Sequence, residues 1–107
     1  MKSETRILVI REFEDCRGHK LTFYVIMRGK KGIEHLEMYD GDSNNALMHL
    51  RTSGLMDEVR LVIDPKNSCR REFHGLPALI RQKIAESLVL LNALIREVNR
   101  LICVDVT

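Results

Sequence analysis

From Pro77 to about Leu101 no glycine or further proline interrupts the chain, and Ala, Leu, Arg, Gln, Lys and Glu dominate. These are strong helix formers, and proline suits a first helical turn. Ile80, Ile84, Leu88, Leu91, Ile95, Val98 and Ile102 recur at spacings of three and four. That is one apolar face roughly seven turns long. A helix of about 25 residues measures about 37 Å, whereas a typical strand spans about 17–20 Å. The spacing therefore predicts a helix that outruns any sheet it lies on. Leu90 and Leu94 widen its apolar band. A second copy of the chain is the expected cover, which makes a homodimer the expected state. Ile84, Leu88, Leu91, Ile95 and Val98 are then the dimer or partner interface.

The first half of the chain reads as strands. "TRILVIREF" carries a continuous apolar run, Ile7 to Ile10, which suggests a central strand covered on both faces or one at a dimer contact. In "KLTFYVIMR", Leu21, Phe23, Val25 and Met27 share one side while Thr22, Tyr24 and Ile26 share the other. "EDCRGHK" lies between them, with Gly18 available for a positive φ, so a hairpin fits. "RGKKG" is a second turn, and "IEHLEMY" a third strand with poor alternation. Asp42 or Ser43 can cap a short helix over "NNALMHLRTS", and Gly54 can end it. "EVRLVID" gives a fourth strand, with Val59, Leu61 and Ile63 inward, stopped by Pro65.

The order β-β-β-α-β-α predicts one α+β domain over residues 1–107: an antiparallel sheet of about four strands, a short helix, and the long C-terminal helix packed across it. A chain of 107 residues has room for one core. With 45% apolar and 30% charged residues its composition is that of a globular protein. No run approaches the roughly 18 apolar residues of a membrane span, and "MKSETRILVI" lacks the h-region of a signal peptide. Three irregularly spaced cysteines do not suggest a secreted disulfide scaffold, so a cytosolic location and no membrane partner are expected.

Four residues have zinc-ligand chemistry in two close pairs: Cys16 with His19, and Cys69 with His74. They would form a Cys2His2 clamp if the first hairpin met the loop before the long helix. The spacing is loose and the short CxxC is absent, so ordinary turn residues and no cofactor are the leading expectation. "DGDSNN" resembles half of a calcium loop, but Asn45 stands where glycine is needed and Arg51 where glutamate is needed. A helix cap explains it fully. Cys103 reads as a buried structural thiol. Arg17 and Arg70-Arg71 flank the other two cysteines, but a nucleophile also needs a positioned base. No nucleophile elbow or phosphate loop is present, and a non-catalytic role is expected.

Basic turns offer a nucleic-acid alternative: Arg17 and Lys20 at one, Arg28, Lys30 and Lys31 at the next, and Arg70 and Arg71 before the long helix, with Tyr24 or Phe23 to stack on a base. Against it, aromatics make up 5% of residues and fifteen acids nearly balance seventeen bases. The leading expectation is a small protein-interaction or regulatory module, self-associating through its long helix. Nucleic-acid binding comes second, and a small enzyme with a Cys/His site third.

Overall fold

The computed structural model describes residues 5–65 and 74–103. Strands β1 (Arg6–Glu14), β2 (Lys20–Arg28) and β3 (Ile33–Asp40) form a meander, with a single 3-10 turn at Gly29–Lys31. Helix α1 (Ser43–Thr52) leads to β4 (Val59–Ile63), and helix α2 (Ala78–Cys103) closes the described chain. The sheet order is β3-β2-β1-β4.

The sheet is mixed, where the sequence predicted a purely antiparallel one. β1–β2 and β2–β3 are antiparallel, but β4 pairs parallel to β1, with Ile7 opposite Leu61 and Val9 opposite Ile63. The cause lies in the connection. A tight turn reverses a strand, whereas a helical crossover carries the chain back to the end where the previous strand began. β3 runs parallel to β1, so a strand entered after α1 runs parallel to both.

That crossover also gives the sheet a second covering layer. α1 packs on one face over Leu8, Ile10, Tyr24 and Ile26, contributing buried Ala46 and Leu50. α2 packs on the other over Ile7, Val9, Phe13, Phe23, Val25 and Met27, contributing buried Ile80, Ile84 and Leu91. The continuous run Ile7–Ile10 is buried on both sides for this reason. A bulge between Arg6 and Ile7 turns Val59 toward α1, away from Leu61 and Ile63, although the simple alternation put all three together.

Local signals hold the elements in place. The Asp42 carboxylate accepts the Asn45 N–H at 2.8 Å, capping α1, and Glu12 accepts the Ser43 N–H at 2.9 Å. The Pro77 carbonyl accepts the Arg81 N–H at 3.0 Å, which makes Pro77 the residue that opens α2. In the first hairpin Gly18 takes φ +80°, and Asp15 accepts the N–H groups of Arg17 and His19 at 2.9 Å each. Those bonds, the one from His19 foremost, hold the Asp15 carboxyl below its usual range.

β1 and β2 are nine residues each, about 30 Å at 3.3 Å per residue, well above the common strand length. α2 has 26 residues, about 39 Å. The long hairpin therefore absorbs most of the helix that a typical strand would have left uncovered.

Candidate functional site

β3 lies at one edge of the sheet, hydrogen-bonded to β2 alone among the described strands. Which of its backbone groups are free follows from the hairpin. Asp15 N–H donates to the His19 carbonyl, so odd-numbered β2 residues bond β1 and even-numbered ones bond β3. Thr22, Tyr24 and Ile26 face Tyr39, Glu37 and His35 in register. By the same alternation Leu36 and Met38 turn their N–H and C=O groups outward.

Edge strands normally carry charge, proline or strong irregularity to discourage further pairing. β3 has no lysine, arginine or proline, and its one register shift lies at its start, beside Ile33. Its acids are drawn inward. Glu34 accepts from Arg6 at 2.9 and 3.1 Å and from Arg28 at 3.2 Å. Glu37 accepts the Tyr24 hydroxyl proton, and Asp40 pairs with His19. Each acid of β3 is thus held by a group of β1, β2 or the hairpin between them. Beside these exposed but paired acids runs an apolar row: Ile33, Leu36 and Met38 are 47%, 39% and 49% exposed. Leu36 and Met38 lie opposite Val25 and Phe23, on the α2 face of the sheet. Beside them, Met27, Gly32, Ile33, Ser87 and Leu90 line a groove of about 270 Å³ between β3 and α2, with Lys83 and Glu86 at its rim.

The residues singled out for the helix interface are placed differently from that surface. Ile84 and Leu91 are fully buried on the chain's own sheet. Leu88, Ile95 and Val98 are half-buried and pack against the same core. Outside this seam the exposed apolar residues of α2 are Leu79, Val89 and Leu101, scattered among charged neighbours.

The basic residues do not converge. Arg17, 3.8 Å from Asp15, and Lys20 lie at one end of the β1–β2 hairpin, while Arg28, Lys30 and Lys31 lie at the other. Arg28 is bound to Glu34. Tyr24 is 1% exposed, beneath α1, and offers no face to a base, while Phe23 is packed in the core against Phe13. Arg70 and Arg71 fall outside the described residues, as does Cys69.

Cys16 is joined to Cys103 in a disulfide, so neither is the free thiol expected from the sequence. His19 is engaged with Asp40, and His74 stands shortly before α2. No group of three or more His, Cys, Asp or Glu among the described residues is placed to hold a metal ion. Among those residues no helix is long and apolar enough to cross a membrane.

The β3 edge was missed because its signal is weak along the chain. Poor alternation in "IEHLEMY" marked a doubtful strand, when the cause is the register shift beside Ile33, which adds one residue between Ile33 and the row of Leu36 and Met38. Comparison with protein-family models, curated proteins and solved structures finds no match to this chain.

Proposed function

We propose that this chain is a non-catalytic protein-interaction domain that works through the free edge of β3 and the groove beside it. One observation carries the reading: an eight-residue edge strand with outward backbone groups, an exposed apolar row, and acids bound back to its own sheet. A strand added to such an edge gains main-chain hydrogen bonds, and pockets for alternate side chains supply selectivity. Association by the seam of α2, the surface favoured by the sequence, would first have to strip Ile84 and Leu91 from the core. β3 asks for no such rearrangement.

Within this reading the domain works in the cytosol, where disulfides are normally reduced. The Cys16–Cys103 bond of the structure is an exception to that rule.

A photo-cross-linking residue at Met38 tests the reading in the source cells. Cross-links to protein, either this chain or another, are expected. Cross-links to nucleic acid alone, or none at all, would overturn it.

A further inference from the structure

We infer that the occupant of the β3 edge is a second copy of the same chain, paired antiparallel β3 to β3 about a two-fold axis through Leu36; this rests on the interaction reading above. Two identical edges can meet antiparallel only in certain registers. Outward-facing residues must oppose outward-facing residues, so the pairing must centre on a residue and not between two. Four centres then deserve comparison along Ile33–Asp40.

Centring on Glu37 sets Glu37 against itself, which is repulsive. Centring on His35 uses little of the strand and sets Glu37 against Ile33. Centring on Met38 uses residues 36–40, but sets Leu36 against Asp40 and forms no His–Glu pair. Centring on Leu36 pairs the regular stretch 35–37 of both copies, bounded by the register shift beside Ile33. It sets Leu36 against Leu36 on the α2 face. It also sets His35 of each copy against Glu37 of the other. No like charges meet, and two His–Glu pairs form across the axis. Of the four centres it alone sets His35 against an acid, so the strand is self-complementary there.

The geometry of the rest follows. A two-fold axis normal to the sheet keeps each face on its own side. The joined sheet has the order β4-β1-β2-β3-β3-β2-β1-β4, with both α2 helices on one face and both α1 helices on the other. Leu36 and Met38 of the two copies then form a continuous apolar floor between the two α2 helices. The interface closes on itself, so the product is a dimer and not a fibre.

Sedimentation of the purified full chain with its disulfide intact, from micromolar to millimolar concentration, tests the inference alongside circular dichroism as a check on folding. A monomer–dimer equilibrium is expected. His35→Glu should raise the dissociation constant by about tenfold or more, since two attractive pairs become repulsive. His35→Lys, which keeps the attraction to Glu37, should leave it within a few-fold. Leu36→Lys should give a monomer. If Leu36→Lys fails to fold, the two His35 variants carry the test unaided. A wild-type monomer at every concentration would overturn the inference, as would a dimer that ignores these substitutions. A monomer that still cross-links from Met38 to a different protein would overturn self-pairing while leaving the interaction reading standing.

Discussion

The sulfurs of Cys16 and Cys103 are bonded across 87 residues of sequence, with their Cα atoms 6.1 Å apart. The tip of the first hairpin is thereby tied to the last turn of α2. A cross-link spanning so long a loop restricts the unfolded chain strongly. Reduction, or Cys16→Ser, should lower unfolding stability by about 2–4 kcal/mol, with the far-ultraviolet circular dichroism at room temperature unchanged. Urea denaturation with and without reductant measures this. Identical midpoints in both conditions would show that the bond contributes nothing.

Leu91 and Leu36 should respond oppositely to truncation. Leu91 is fully buried between α2 and the sheet, so Leu91→Ala should cost about 2–5 kcal/mol. Leu36 is 39% exposed, and Leu36→Ala at a concentration where the chain is monomeric should cost less than about 1 kcal/mol. Denaturant titration of both variants checks the contrast. Equal losses would mean that the α2 seam is not the core of the single chain.

Tyr24 predicts behaviour in alkali. Burial, then its bond to Glu37, pushes its phenol well above the ordinary value. A raised folded value favours the protonated form, so its contribution is complete below pH of about 10 and fades as pH rises further. Tyr24→Phe should cost about 0.5–1.5 kcal/mol at neutral pH and remove part of that alkaline decline. Melting temperature against pH for both proteins would show the difference. Parallel alkaline limbs would contradict it.

Acid acts at the other end of the scale. The Asp15 carboxyl is lowered by backbone N–H bonds from His19 and Arg17, and Glu34 is lowered chiefly by its bond from Arg6. Depressed values stabilise the charged form, so this stability is present above pH of about 4 and is lost as pH falls through the folded values. Asp15→Ala should lower the melting temperature at neutral pH and flatten its fall in acid. An unchanged acid limb would count against the hairpin-tip account.

Much of the fold was legible in local pattern. Pro77 opened the long helix, the three- and four-residue spacing from Ile80 to Ile102 assigned its buried face, and the two sides of β2 separated as the alternation required. What failed was non-local. Nothing near Val59 signals that β4 returns beside β1, because that placement follows from where α1 delivers the chain. Cys16 and Cys103 are too far apart for spacing to join them. The length of β1 and β2 gives α2 a longer bed than a typical strand would, on which Ile84 and Leu91 are fully covered and Leu88, Ile95 and Val98 in part. The candidate site emerged where the pattern was poorest, on a strand whose alternation is interrupted by the register shift beside Ile33.

If β3 is completed by another β3, amide hydrogen exchange reads the pairing residue by residue. His35 and Glu37 bond β2 in the single chain and should be protected at every concentration. Leu36 and Met38 point outward, so their amides should exchange fast in dilute solution and slow markedly as concentration rises. Fast exchange of Leu36 and Met38 at all concentrations, with their neighbours protected throughout, would contradict the claim.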